Sequence, residues 1–170
     1  TSFQELATYI SHNRVAKLAR QYANKSLAKM CKIISGDEMR HYNAYSTFVK
    51  EILQIDPSGM VIAFSEMMKH KIVMPAHFLR ESGGSIGTAF EDFSFAAQRL
   101  GVYTGEDYVD IMRKLIEKWE IEKLTGLTEE AEKARDFVTK LPARMQRINE
   151  RVKIPQEIKH FKWIDPSRVK

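Results

Sequence analysis

The chain has little cysteine and no long uninterrupted run of apolar residues. Only one of its 170 residues is a cysteine, so an internal disulfide cannot form. Cys31 falls on an apolar helical stripe, where a small buried side chain is expected. No apolar run approaches the roughly 20 residues that a membrane-spanning helix requires. These absences argue against a disulfide-stapled scaffold and against a transmembrane helix.

Charge is moderate and slightly basic. Lysine and arginine total 27 against 22 acidic residues, which gives a formal net charge of +5. The basic residues appear scattered along the chain, so we expect no nucleic-acid partner and favour an acidic protein partner. With 44% hydrophobic and 29% charged residues, the composition is that of one globular domain with a sizeable core.

The apolar periodicity predicts an all-α fold. Residues 1–153 are expected to form a helical body and residues 154–170 an extended C-terminal tail packed on it. Asn24 and the run Asp56-Pro57-Ser58-Gly59 mark helix boundaries, while Thr104 and Thr128 begin later helices as N-caps. The predicted helices cover residues 1–22, 26–53, 60–73, 88–100, a segment after Thr104, and a segment from Thr128 to about Val152, with Pro142 as a candidate kink or break.

The second predicted helix carries polar groups where its apolar stripe should continue. The stripe is extended by Glu38 and His41, and its apolar members are Leu27, Cys31, Ile34, Tyr45, Phe48 and Ile52. A carboxylate and an imidazole one turn apart on a buried face need a partner. A Glu-x-x-His pair of this kind is one way in which helical bundles hold iron or manganese.

A third candidate ligand lies on the first helix. Glu5, Thr8 and His12 share one face, and the turn near Asn24 makes the first two helices antiparallel neighbours. At about 1.5 Å per residue, Glu5 and Glu38 differ in level by roughly 6 Å, so side chains from both helices can converge on one cation. Spacing alone leaves a second interpretation open, namely a satisfied buried Glu-Arg or Glu-His pair.

Longer runs resemble a known family, the soluble acyl-[acyl-carrier-protein] desaturases. The similarity extends from Thr1 to about Arg151 and includes Phe161-Lys162-Trp163. It is carried by Thr1-Ser2-Phe3-Gln4-Glu5, Asp37-Glu38 with Arg40-His41, Met74-Pro75-Ala76-His77, Gln98-Arg99-Leu100-Gly101-Val102-Tyr103 and Lys123-Leu124-Thr125-Gly126-Leu127.

The resemblance implies a ferritin-like bundle that holds two iron ions and inserts a cis double bond into a saturated, carrier-bound acyl chain. Such enzymes use O₂ and electrons from ferredoxin, and we expect a homodimer. Glu5, Glu38 and His41 match iron ligands of the family, and Thr8 matches the threonine that assists O₂ activation.

Two further positions follow from the resemblance alone. Lys71 and Glu91 match residues near the entry of the carrier's phosphopantetheine arm. A competing interpretation of Thr8 is a helix hydroxyl bonded to its own backbone.

The chain also departs from the family pattern. An earlier half with one more ligand Glu and a first Glu-x-x-His is expected, so this chain supplies three of six protein ligands. We therefore interpret it as the C-terminal portion of an enzyme, inactive by itself. Alternatives are a non-catalytic helical half-protein and a metal-storing bundle.

The source is a further expectation. Tyr42-Asn43 after His41 and the Gly83-Gly84 loop favour a bacterial, cytoplasmic protein. A plant source would place the protein in the plastid stroma.

Overall fold

The computed structural model describes residues 1–70 and 89–151, and for residues 89–93 the backbone only. Within these ranges every regular element is a helix, which confirms the all-α prediction. The elements are α1 (Ser2–Gln21), α2 (Lys25–Ile55), α3 (Pro57–Lys69), α4 (Ala89–Arg99), α5 (Gly105–Lys118), a 3₁₀ turn (Ile121–Lys123) and α6 (Glu129–Asn149). The expected tail, 154–170, lies outside the described residues, so the domain division stays a prediction.

A tight turn joins α1 and α2 into an antiparallel hairpin. Ala23 adopts a left-handed conformation with φ of 58°. The Asn24 side chain then accepts a hydrogen bond from the Leu27 backbone N–H at 3.0 Å and caps α2. The hairpin therefore forms where Asn24 predicts it, and it brings the candidate ligands of the two helices side by side.

The boundary between α2 and α3 differs from the expectation. We predicted that α3 begins at Met60, but it begins at Pro57. The Asp56 carboxylate accepts a hydrogen bond from the Gly59 N–H at 2.8 Å, and proline is well suited to the first helical position. The residues that we took for a helix-breaking loop are thus the cap and first turn of the next helix.

An ion pair ties α1 to α5. Both guanidinium nitrogens of Arg14 contact the Asp107 carboxylate, at 2.5 and 2.6 Å. Asp107 also accepts hydrogen bonds from the Thr104 hydroxyl and backbone N–H, which completes the predicted capping box. One buried carboxylate therefore begins α5 and anchors α1 against it.

The core lies where α1, α2, α3, α5 and α6 meet. The Trp119 indole N–H donates to the buried Ser46 hydroxyl at 3.0 Å, and its ring packs edge-on against Phe64. Residues at the centre are at most 1% exposed, namely Val61, Ile111, Met112, Leu115, Ile121 and Val138. These contacts hold the α1–α2 hairpin against the core.

Helix α6 runs without interruption through Pro142 and ends at Asn149 rather than Val152. Pro142 is buried, so packing against the core offsets the backbone hydrogen bond that proline cannot donate. None of the described helices is both long and apolar enough to cross a membrane.

The apolar stripe of α2 is only partly buried, contrary to our expectation. Cys31 is buried, but Phe48 is 58% exposed and Ile52 45% exposed. The face that packs on the rest of the described chain includes Ala28, Ser35, Tyr42, Ser46 and Leu53. Helix α1 is mostly half-buried. The hairpin thus keeps an apolar surface that the described residues do not cover.

Candidate metal centre

The hairpin brings Glu5, Glu38 and His41 together. The His41 Nδ1 lies 3.3 Å from the Glu5 carboxylate on α1 and 3.7 Å from the Glu38 carboxylate one turn earlier on α2. One ligand atom from each residue lies within 4.8 Å of the others. The convergence that the sequence predicts is therefore present in the structure.

The two carboxylates perturb one another. Burial raises the pKa of the Glu5 carboxyl, and the hydrogen bond and negative charge of Glu38 raise it further. Contact with His41 acts in the opposite direction but does not cancel these effects. The raised pKa therefore reflects two carboxylates held side by side at a partly buried position, where a nearby positive charge is favourable.

Burial of the group is uneven. The side chains of Glu5 and Glu38 are 16% and 19% exposed, whereas the His41 side chain is 58% exposed. We expected both Glu38 and His41 to project from a buried face of α2. The prediction is wrong for His41, whose side chain is largely exposed. The described residues leave the imidazole open on the side where the apolar stripe of α2 is also uncovered.

The donor set fits a first-row transition metal. Carboxylate oxygens and an imidazole nitrogen suit iron or manganese, and bundle proteins hold such ions between side chains of facing helices. The same three groups also contact one another directly, with the His41 Nδ1 lying between the two carboxylates. The structure is compatible with both interpretations that the sequence left open.

Thr8 lies one turn after Glu5 on α1. Its hydroxyl donates to the backbone carbonyls of Gln4 and Glu5, at 2.9 and 3.0 Å. This is the backbone-bonded arrangement that we weighed against a role in oxygen chemistry. Asp37, next to Glu38 on α2, pairs with the exposed Arg40.

The two residues expected at the carrier entrance fall beyond the described side chains. Lys71 lies outside the described residues. Glu91 belongs to α4, but its side chain also lies outside them.

Some contacts near the site were missed by sequence reasoning. Lys114 and Lys118 of α5 lie over the Tyr42 ring, at 5.7 and 4.5 Å from its centroid. Arg14 binds Asp107 as described above. These pairs join distant segments, and only the position of Asp107 in a capping box carried a local signal.

Comparison with known proteins identifies the family. A family model described as fatty acid desaturase matches residues 1–165. The chain is 46% identical over 175 residues to stearoyl-[acyl-carrier-protein] 9-desaturase, chloroplastic, of Spinacia oleracea, covering 100% of the chain and 43% of the relative. It is 50% identical over 151 residues to the enzyme of the same name from Olea europaea, covering 89% of the chain and 38% of the relative.

A third relative is acyl-[acyl-carrier-protein] desaturase, chloroplastic, of Cucumis sativus, at 46% identity over 178 residues. The chain spans less than half the length of these relatives, in agreement with the expectation that it corresponds to part of a family member. All three relatives are plant proteins, which gives no support to a bacterial source. With a family model matched over almost its whole length, the chain belongs to the fatty acid desaturase family.

Proposed function

We propose that the complete protein containing this chain is an acyl-[acyl-carrier-protein] desaturase with a di-iron centre. It would insert a cis double bond into a saturated acyl chain held on the carrier, with O₂ as oxidant and ferredoxin as electron donor. The observation that carries the proposal is the convergence of Glu5, Glu38 and His41 in a chain of this family. The names of the relatives support acyl-carrier substrates.

In this proposal Glu5, Glu38 and His41 are half of the iron-binding set. The other half comes from helices of the complete protein, in the ferritin-like arrangement of one Glu and one Glu-x-x-His on each side. When bound, the iron pair supplies the O₂ activation that breaking an unactivated C–H bond requires. The α1–α2 hairpin would position these three side chains, and the contacts of Arg14 with Asp107 join the hairpin to α5.

The remaining residue roles concern the oxidation and the substrate. Thr8 would serve oxygen chemistry by redirecting its hydroxyl from the α1 backbone towards the metals. Lys71 and Glu91 would contact the carrier or its prosthetic arm. The complete enzyme would act as a homodimer, in the plastid stroma if the source is a plant and in the cytoplasm if it is a bacterium.

The test is to purify the complete protein, measure iron per chain and incubate it with stearoyl-carrier protein, ferredoxin, a ferredoxin reductase and O₂. Mass spectrometry of the released acyl chains should show loss of two hydrogens. Iron loading without any unsaturated product from a panel of saturated chains would favour the metal-storing alternative. A protein without iron and without product would favour the non-catalytic alternative.

A further inference from the structure

The turn between α1 and α2 carries a concentration of positive charge. No acidic residue occurs between Glu5 and Asp37, although this stretch contains Arg14, Lys17, Arg20, Lys25, Lys29 and Lys32. These six cations exceed the net charge of the whole chain, which is +5. The basic residues are therefore less evenly distributed along the chain than we expected.

Four of these cations surround one groove. Arg20, at the end of α1, and Lys25, Lys29 and Lys32, along the start of α2, line a groove of about 550 Å³ whose other lining residues are Ala28 and Ile33. We call these four cations the basic hairpin end. All four are exposed.

The basic hairpin end has no carboxylate partner among the described residues. Lys32 donates to the Asn13 side chain at 3.0 Å, and this is the only side-chain hydrogen bond that the four cations make in the described chain. Elsewhere, lysines such as Lys133 and Lys140 have carboxylates at 2.6 and 2.8 Å. The cations of the groove are thus available to an anionic partner.

The spacing of the lysines suggests the shape of that partner. Lys25, Lys29 and Lys32 follow one another at intervals of four and three residues, so they form a line along one face of α2. Ile33 beside that line is 58% exposed, and Ala28 is buried at the groove. A helix that lies along this line could place acids opposite the lysines and an apolar side chain over Ile33.

We propose that the basic hairpin end docks an acidic amphipathic helix of a partner protein. A helix matches the groove because its side chains repeat with the spacing of the lysine line, and its apolar residues fill the floor formed by Ala28 and Ile33. A nucleic-acid backbone supplies phosphates but no apolar side chain for that floor. A flat anionic membrane surface would leave the groove unfilled. Charge complementarity of this kind raises the association rate, and the increase is lost at high salt because the ions screen the charges.

The experiment uses the full-length protein and two fluorescent, lactam-stapled helical peptides of identical composition. In the matched peptide, Glu residues at i, i+4 and i+7 flank one leucine; in the scrambled peptide, the acids are spread round the helix. We expect fluorescence anisotropy at low salt to show at least about tenfold tighter binding of the matched peptide. Changing Lys25, Lys29 and Lys32 together to Glu should abolish that preference, with the fold checked by circular dichroism.

A matched control reverses the same number of charges on α6, at Lys133, Lys140 and Arg147. This variant should keep the preference for the matched peptide, because it changes net charge equally but leaves the groove intact. Equal binding of both peptides, or equal weakening by both triple variants, would overturn the proposal. Tighter binding of phosphatidylglycerol vesicles or of a DNA duplex than of the matched peptide at the same ionic strength would also overturn it. None of these measurements depends on desaturase activity.

Discussion

The Glu5 carboxylate lies 3.3 Å from the His41 Nδ1, although the two residues belong to different helices. The contact depends on the register of the α1–α2 hairpin, which the Asn24 cap and the left-handed Ala23 fix at the turn. A shift of either helix by one residue would rotate one of these side chains by about 100° and separate them. The turn therefore sets the geometry of a candidate site roughly 25 Å away along the hairpin.

Replacing His41 with alanine in the complete protein should lower bound iron and abolish desaturation, because it removes the only imidazole of this donor group. His12 provides a matched control, since it lies on α1 of the same hairpin and is not part of the donor group. We expect the His12→Ala variant of the complete protein to bind as much iron per chain as the parent. Elemental analysis and product assays would check both variants, and unchanged iron and activity in His41→Ala would refute the ligand assignment.

Thr8→Val should leave folding and iron loading intact while reducing the desaturation obtained per O₂ consumed. The change preserves the shape of the side chain but removes the hydroxyl that now donates to Gln4 and Glu5 carbonyls. Thr47→Val is the control, because the Thr47 hydroxyl makes the same kind of backbone bond on the exposed part of α2. Equal coupling of O₂ use to product in both variants and the parent would leave Thr8 with a packing role only.

Asp107→Asn should lower the free energy of unfolding at pH 7 by about 1–2 kcal/mol. Hydrogen bonds to charged groups stabilise proteins by about 1.5–3 kcal/mol. We expect a value near the lower end because the Arg14 side chain is 40% exposed, so water screens the interaction. Burial raises the pKa of Asp107, but hydrogen bonds from Arg14 and Thr104 together with the charge of Arg14 outweigh it, and the net pKa is lowered. Urea titrations would measure the difference.

The lowered pKa fixes the sign of the pH dependence. The ionised Asp107 stabilises the fold above its ordinary pKa of about 4, and this contribution is lost as the pH falls through the lower folded value. The gap between parent and Asp107→Asn should therefore narrow from pH 7 to pH 3. Asp110→Asn, which changes an exposed residue on the same helix, should alter stability little at any pH. A constant gap would contradict the ionic account.

Lys71→Glu should raise the Michaelis constant of the complete enzyme for acyl-carrier substrate, and the effect should shrink as salt is added. The substitution removes an attraction to the acidic carrier, because the family resemblance implies that Lys71 lies near the entry of the carrier's phosphopantetheine arm. Salt screens this attraction. Lys133→Glu on α6 controls for net charge. An effect on the turnover number with an unchanged Michaelis constant would contradict this placement.

The sequence predicted the helices and the convergence of Glu5, Glu38 and His41 because both depend mainly on local information. Glu38 and His41 are one turn apart on any helix, and the level of Glu5 follows from counting residues to the turn at Asn24. The burial of Phe48 and Ile52 was predicted wrongly, because periodicity identifies an apolar face but not what covers it.

Other features had no unambiguous signal in the local sequence. The bond between Arg14 and Asp107 joins residues on α1 and α5, and nothing in the sequence around Arg14 indicates its partner. The start of α3 was misplaced because Asp56 and Pro57 suit both a turn and a helix N-terminus. Such choices are settled by packing between elements rather than by spacing within one.

Expressed by itself, the segment of residues 1–170 should not hold two irons or desaturate an acyl chain. The described residues contain one donor group of three, half of what a bundle di-iron centre uses. The uncovered α2 surface, with Phe48 and Ile52 exposed, would add a cost of roughly 25 cal/mol per Å² left in water. We expect light scattering to show aggregation and elemental analysis to show little iron. A soluble dimer with two irons would instead mean that two copies, paired by a two-fold axis, each supply one Glu and one Glu-x-x-His.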